Sequence, residues 1–481
     1  MLPRTQEKSK VEEWTETQNE GLGSMFLDHF TSHVAENPGK TVLRFLGPGG
    51  GVEKEFTYEE FDVATNKLGN MLLREWGVKR GDVVLLVFPP GLDFIVTFVA
   101  CLKAGVVSVP VYPPMPGDAK DLLKLVAVQS SCGASVALTN GTYMRGVNLA
   151  GFKSFLLGRR LQWPEMEWFV TDGARVAKSS HLPLHNEFNK DDVAFLQYTS
   201  GSTGAPKGVI VTHGNLAHNS HALQVSGKTS TNLVNVSWVP GYHDMGLIGA
   251  YLQTLFCGGS LIGMSPLAFI KNPSLWIQTI SKYRATYTQA PNFAFKLVLR
   301  KWDQTTLVDL SCLECLMSGA EPVEYETMVA FQAAFSQYGL QQNVMSTVFG
   351  IAEHTLFVVG THNISCVFVD RKLLENERLL RLVGHCDKAT ALQLVSHGDP
   401  HKFSETLDIQ VRIVNETTHE KMRDGKVGEI WVSSPSVAMG YYKLPELTDQ
   451  VFHAQIKGDT SRKWLRTGDL GFFYKNELYI C

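Results

Sequence analysis

The 481-residue chain carries a formal net charge of −3, with 44% hydrophobic and 19% charged residues, the composition of a folded globular protein with room for several cores. That charge balance argues against a dedicated nucleic-acid binder. The longest apolar region, residues 83–112, is interrupted by Pro89, Pro90, Gly91, Asp93 and Lys103, which excludes a clean membrane-spanning helix.

Residues 1–20 are polar and charged and read as a frayed end. Leu22, Phe26, Phe30 and Val34 then recur at helical spacing, and the pattern stops at Asn37-Pro38-Gly39. Two short strand patterns, 42–46 and 54–56, flank GPGGG, a hairpin turn whose glycines lack dinucleotide-fingerprint spacing. Thr57 with Glu60 makes a capping box for a helix carrying Phe61, Ala64, Leu68 and Met71. Strand 83–88, helix 92–102, strand 106–111, helix 119–130 and strand 135–138 follow. This alternation predicts a mostly parallel sheet covered by helices. Residues 142–190 have no clear period, and Trp163-Pro164 marks a connection.

Residues 195–213 read FLQYTSGSTGAPKGVIVTH. An apolar run feeds a loop of Gly, Ser and Thr, and a second β-branched run leaves it. Such a loop exposes many backbone N–H groups and can cradle phosphate. Gly201 and Gly204 allow close approach, Thr199, Ser200, Ser202 and Thr203 add hydroxyls, and Lys207 supplies a point charge. It is not a Walker loop, because Pro206 precedes Lys207, Gly208 follows it, and the next element reads as a strand. Taken alone, the stretch is also compatible with a flexible hairpin turn.

A second α/β unit follows: helix 215–223, strand 235–239, the string PGYHDMGL, helix 246–256, strand 258–264, helix 273–283, strand 286–289, helix 293–301, strand 313–317 and helix 323–338. Beyond about Gly360 the texture changes. Residues 366–395 read as an irregular, charged insert, and strands 409–414 and 429–432 lead to WLRTGDLGFF and ELYIC. The expected fold class is α/β, with two doubly wound subdomains (1–190 and 191–359) and a smaller β-rich, barrel-like subdomain with the insert (360–481). Eight cysteines show no disulfide spacing and no signal peptide precedes them, which points to a reducing, cytoplasmic setting. Cys312 and Cys315 sit three apart on a predicted strand, face opposite sides and read as structural rather than metal-binding.

Four more strings lie downstream in order: Tyr242-His243-Asp244-Met245-Gly246, Gly319-Ala320-Glu321-Pro322, Phe349-Gly350-Ile351-Ala352-Glu353-His354-Thr355 and Arg466-Thr467-Gly468-Asp469-Leu470. Together with TSGSTGAPKG they resemble the adenylate-forming superfamily over nearly the whole chain. Within it, LQYTSGSTGAPKGVIVTHGNL, WVPGYHDMGLIG, GAEPV and the insert after FGIAEHT resemble fatty acyl-AMP ligases.

The resemblance implies that a fatty acid and ATP form an acyl-adenylate and pyrophosphate, and that the acyl group then passes to the phosphopantetheine arm of an acyl carrier protein feeding polyketide, lipopeptide or lipid synthesis. It implies that Thr199 to Lys207, including Ser200, Gly201, Ser202, Thr203 and Gly204, hold the departing phosphates. Glu353, with Thr203, would hold Mg²⁺, since a hard cation prefers carboxylate and phosphate oxygen. Asp469 would accept bonds from both ribose hydroxyls. Gly319, Ala320, Glu321, Pro322, Phe349 and Gly350 would form the adenine slot. His243 would lie near the substrate carboxylate, and it also reads as a structural partner of Asp244. Lys207, His243 and Glu353 are thus the catalytic candidates. Trp238, His243, Gly246, Ile248 and Phe293 are the candidate acyl pocket, and with Tyr251, Leu255 and Phe295 the apolar members are equally compatible with plain core.

The family pattern continues past ELYIC into a Gly-Arg hinge and a small C-terminal domain with a catalytic lysine. This chain is expected to lack that domain and to adenylate slowly, since losing one such donor costs about 10²–10³ in rate. The competing readings are a fatty acyl-CoA ligase and a non-catalytic lipid- or nucleotide-binding module of the same fold.

Overall fold

A computed structural model of the chain describes residues 24–156, 163–184, 187–199, 205–384 and 390–481. Strands β1 (Thr41–Leu46) and β2 (Val52–Thr57) form the expected hairpin. Thr57 and Glu60 close the predicted capping box: the Glu60 amide donates to Thr57 Oγ1 at 3.2 Å, and the Thr57 amide donates to Glu60 Oε2 at 2.9 Å.

Next come β3 (Val83–Val87), β4 (Val107–Val111), β5 (Val136–Thr139), β6 (Glu167–Val170), β7 (Val193–Thr199) and β8 (Lys207–Thr212). They make a six-stranded sheet in the order β6-β5-β3-β4-β7-β8, parallel except for the β7–β8 hairpin. The run VVLLV of β3 is almost wholly buried, as a parallel strand covered by helices on both faces must be.

Strands β9 (Val234–Ser237), β10 (Ser260–Met264), β11 (Tyr287–Ala290), β12 (Cys315–Ser318), β13 (Met345–Gly350) and β14 (Phe357–Thr361) build a second sheet, in the order β14-β13-β12-β11-β9-β10-β1-β2. The N-terminal hairpin therefore belongs to this second sheet. β1 pairs in parallel with β10, with Leu43 opposite Leu261. The boundary expected near residue 190 does not coincide with a sheet boundary. The physical reason is that β1 pairs with β10 and carries β2 as the edge of the later sheet, while the loop-bearing strands β7 and β8 complete the earlier one.

The expected insert contains a strand pair, β15 (Cys366–Asp370) with β16 (Ala391–Val395). An antiparallel sheet closes the chain, with β17 (Gln410–Val414), β18 (Gly428–Ser433), β19 (Ala454–Ile456), β20 (Asp459–Tyr474) and β21 (Glu477–Ile480). The largest core cluster joins these layers, running from Leu43 and Phe98 through Leu247, Ile248 and Leu255 to Ile413 and Ile430. No helix among the described residues is long and apolar enough to cross a membrane.

Candidate active site

The phosphate-loop candidate connects two antiparallel strands, β7 and β8. Thr199 ends β7 and Lys207 opens β8, and the two are paired across the ladder. Ser200, Gly201, Ser202, Thr203 and Gly204 lie outside the described residues. The stem below them is fixed from outside its own sheet: the Ile210 amide donates to the Gly440 carbonyl at 2.9 Å, the Met439 amide to the Ile210 carbonyl at 3.0 Å, and the Tyr442 amide to the Gly208 carbonyl at 2.8 Å. Residues 439–442 thus extend the β8 edge as a short antiparallel segment, with Tyr441 bridged to Val209. Gly208 has no room for a side chain, since a Cβ there would sit 2.8 Å from the Tyr198 ring.

This clamp brings three chain-distant groups together. The Lys207 ammonium sits 5.4 Å from the centre of the Tyr441 ring, a cation–π contact. The Tyr441 hydroxyl donates to Glu353 Oε1 at 2.7 Å. Burial first, and then the Glu353 charge, push the Tyr441 phenol well above its ordinary pKa, so it stays a donor. Tyr441 went unnoticed in the sequence; its only signal is its place in a GYYK string after the insert.

Glu353 sits on a single 3₁₀ turn, Ala352–His354. Thr355 after it is fully buried and has φ +65°, a strained value for a β-branched residue. Its neighbours hold it there. Thr355 Oγ1 donates to the Ser436 carbonyl at 2.8 Å, and Asn219 Nδ2 donates to the His354 carbonyl at 3.1 Å. His354 Nδ1 faces the Phe357 carbonyl at 2.7 Å, so that nitrogen carries the proton and Nε2 accepts from Ser434 Oγ at 2.6 Å. Burial, then His218, lowers the His354 pKa to about 3, which keeps the ring neutral.

Asp469 approaches the same place from β20. Burial first, then the charges of Glu353 and Glu429, raise its pKa. Its turn is organised by Glu429, which is 5% exposed. One Glu429 oxygen accepts from Arg466 Nε at 3.0 Å and Trp431 Nε1 at 2.9 Å, and the other from the Gly468 amide at 3.1 Å. Gly468 has φ +78°, which favours glycine at that turn. Glu429, like Tyr441, was not singled out from the sequence.

A cavity of about 180 Å³ opens at the carboxyl ends of β11, β12 and β13, lined by His243, Asp244, Gly249, Gln289, Met317, Ala320, Val348, Phe349 and Gly350, together with Leu223, Tyr287 and Phe357. It lies beside β9, where the strand order reverses, the usual ligand position in open α/β sheets. Gly350 faces the Leu356 carbonyl so closely that a Cβ would lie 2.2 Å from its oxygen. Ala320 has φ +65°, and Gly319 packs against Val348, while Glu321 and Pro322 are exposed at the rim.

A second cavity, of about 560 Å³, lies on the loop side and is lined by Thr199, Pro206, Tyr112, Lys124 and Tyr242. His243 and Asp244 line both cavities and form the wall between them. The His243 side chain is 52% exposed, and its Nδ1 lies 2.8 Å from Asp244 Oδ1. Burial lowers the His243 pKa, but the hydrogen bond and charge of Asp244 outweigh it and the net shift is upward.

The apolar candidates fall elsewhere. Trp238 stacks on Phe269, with ring centres 3.9 Å apart, and meets Phe293 edge-on at 5.8 Å. Trp238 and Phe269 belong to the core on the opposite face of the sheet, with Trp276 and Phe295, while Phe293 is 40% exposed. Alternation explains it: Ser237 points to the cavity face, so Trp238 turns away. Ile248 and Leu255 are buried in the central core, and Tyr251 lines a small separate cavity. Gly246 packs on the Pro240 carbonyl, and Gly249, three residues on, lines the cavity instead. The expected helix after Gly246 contains a π-helical stretch, Leu247–Leu252, a form frequent at functional sites.

Residues 30–442 match the family described as AMP-binding enzyme. The chain is 35% identical to the medium-chain-fatty-acid–[acyl-carrier-protein] ligase JamA of Moorena producens, over 92% of this chain and 73% of the relative. It is 31% identical to the long-chain-fatty-acid–AMP ligase FadD32 of Mycobacterium marinum, over 98% of this chain and 72% of that protein. Its fold is similar to that of the fatty acyl-adenylate ligase from L. pneumophila solved with acyl adenylate and pyrophosphate, with a TM-score of 0.84 and 32% identity, covering 96% of this chain and 77% of that one.

Proposed function

We infer that this chain, which belongs to the AMP-binding enzyme family, is a fatty acid–AMP ligase that activates a fatty acid with ATP for transfer to an acyl carrier protein. One observation carries the reading: His243 and Asp244 separate an apolar-ended cavity from a second cavity bordered by the phosphate-loop stem. Ala320, Phe349 and Gly350, proposed for the adenine, line the first cavity, so that cavity takes the nucleoside beside the acid while the triphosphate reaches the loop stem at the second, and the carboxylate and the α-phosphorus meet at His243.

The reaction is an in-line displacement. A carboxylate oxygen bonds to the α-phosphorus, the bond from that phosphorus to the bridging oxygen breaks, and pyrophosphate leaves. Such a transfer needs positioning and charge neutralisation rather than a protein nucleophile. Lys207, at the base of the loop, neutralises the departing phosphates, and its ring contact with Tyr441 fixes its approach. Phe349 gives the adenine a flat face, and Asp469 accepts from the ribose hydroxyls. In its protonated form, which Asp244 favours, His243 donates to the substrate carboxylate through Nε2 while Nδ1–H faces Asp244. In the second step a pantetheine thiolate attacks the adenylate carbonyl and AMP leaves.

Mg²⁺ fits the donor set. One oxygen of Glu353 is bonded by Tyr441, which leaves the other for a hard cation that also takes phosphate oxygens. Bound there, the ion would supply charge neutralisation at the phosphates. Fatty-acid-dependent exchange of labelled pyrophosphate into ATP, with mass spectrometry of the adenylate, tests the activity. Supplying phosphopantetheinylated carrier protein or free CoA tests the acceptor, and thioester on CoA would favour a CoA ligase.

A further inference from the structure

The turn that follows β12 is stapled to the start of a neighbouring helix, Asn292–Lys301. That helix follows Pro291, which offers no side-chain cap, so its first amides lack a local side-chain acceptor. Glu321 supplies one from across the fold: the Phe293 amide donates to Glu321 Oε1 at 2.5 Å. The contact is reciprocal. The Glu324 amide donates to Asn292 Oδ1 at 3.2 Å, and the Lys296 ammonium donates to Glu324 Oε1 at 2.6 Å.

Ala320 stands between β12 and this staple, and it lines the 180 Å³ cavity with Phe349 and Gly350. Its φ of +65° lies in the left-handed region, which a Cβ disfavours. Asn or Asp would offset that cost with a local side-chain hydrogen bond, and Ala has none to offer. The turn is therefore held from its two sides. On one side Gly319 lies against β13, where a Cβ would sit 2.8 Å from the Val348 carbonyl oxygen. On the other side is the bond from the Phe293 amide to Glu321. Among the described residues that line the cavity, neither Glu321 nor Phe293 is present, whereas Ala320 is.

We propose that Glu321 is a positioning residue of the nucleotide site: it touches no substrate, and it acts through Ala320 by holding that residue's backbone in the left-handed conformation that borders the adenosine. The inference rests on the ligase reading above. It gives Glu321 a different task from Ala320 and Phe349, with which the sequence groups it. Its carboxylate is spent on the helix end, and the strained residue beside it meets the ligand.

The test measures AMP dissociation constants by calorimetry, and ATP and fatty-acid KM values in pyrophosphate exchange, on the full chain. Loss of a helix-end cap weakens the capped geometry by a factor of about 2 to 30, so Glu321→Ala should weaken AMP binding about tenfold and raise the ATP KM to match, with the fatty-acid KM within about twofold of wild type. Glu321→Asp keeps the charge but shortens the reach, and should behave like Glu321→Ala. Glu321→Gln keeps an acceptor at full reach and should recover most of the loss. Adding Ala320→Gly to Glu321→Ala should also restore AMP binding, because glycine takes this φ without the Cβ penalty. An unchanged AMP constant in Glu321→Ala, or a loss that Ala320→Gly leaves untouched, overturns the inference while the ligase reading stands. A wild-type protein that binds neither AMP nor ATP overturns both. If Glu321→Ala does not fold, Glu321→Asp and Glu321→Gln decide between them, and equal AMP constants for the two overturn the inference.

Discussion

The Tyr441 hydroxyl donates a 2.7 Å hydrogen bond to the carboxylate of Glu353, 88 positions away in the chain. The same ring carries Lys207 on its face, so one side chain links the base of the phosphate loop to the carboxylate assigned to the cation. Tyr441→Phe keeps the ring and removes the bond. Hydrogen bonds to charged groups contribute about 1.5–3 kcal/mol, so pyrophosphate exchange is expected to fall about 10- to 100-fold at unchanged fatty-acid KM. The dependence on Mg²⁺ concentration should shift upward. Unchanged exchange and an unchanged Mg²⁺ curve would remove Tyr441 from the site.

Asp469 carries a stability cost at neutral pH beside its proposed role at the ribose. Burial and the charges of Glu353 and Glu429 raise its folded-state pKa above the unfolded value of 3.8. Its contribution to stability is therefore fully present below pH 3.8 and is lost as pH rises through the folded pKa. Asp469→Asn removes the ionisation, so it should raise the Tm at neutral pH, with the gain vanishing as the pH falls below the unfolded value. The same variant should bind AMP more weakly. Thermal melts at several pH values, with AMP titrations, measure both effects.

Glu429 holds the turn that presents Asp469. Glu429→Ala leaves Arg466, the Trp431 indole and the Gly468 amide without their acceptor. Breaking a buried charge pair from one side costs about 3–5 kcal/mol. Urea unfolding should show a loss of that order, and a loss below about 1 kcal/mol would contradict the role given to Glu429.

Gly350→Ala would place a methyl 2.2 Å from the Leu356 carbonyl oxygen, which is backbone and cannot turn aside. Overpacking of this kind costs about 1–3 kcal/mol. Here it also distorts the strand that carries Phe349. A lower Tm together with weaker adenylate-analogue binding is the expected outcome.

Asp244 sets the titration of His243. The carboxylate 2.8 Å from Nδ1 raises the imidazole pKa against the opposing effect of burial. Asp244→Asn should therefore lower it, as read from the pH dependence of the imidazole NMR signals. An unmoved titration would mean that another group controls the ring.

The sequence carried the chemistry of this site more clearly than its scaffolding. Thr199, Lys207, His243, Glu353 and Asp469, the residues proposed for that chemistry, stand in short strings that the sequence sets apart. Tyr441 and Glu429 act through contacts 88 and 37 residues away, and no local pattern announces such a partner. The parallel alternation was legible from apolar runs. The place of β1 beside β10 was not, because parallel pairing between strands over 200 residues apart leaves no turn to read. The place of Trp238 turns on parity: at the end of β9 Ser237 faces Gln289 and Trp238 turns to the core on the other side of the sheet.

The most direct test of the account is mass spectrometry of the products formed from ATP, Mg²⁺ and a mixed-length pool of fatty acids. The account predicts acyl-adenylates and pyrophosphate, at rates that collapse in Glu353→Ala and Lys207→Ala. Tight ATP binding with no acyl-adenylate from any acid in the pool would contradict it.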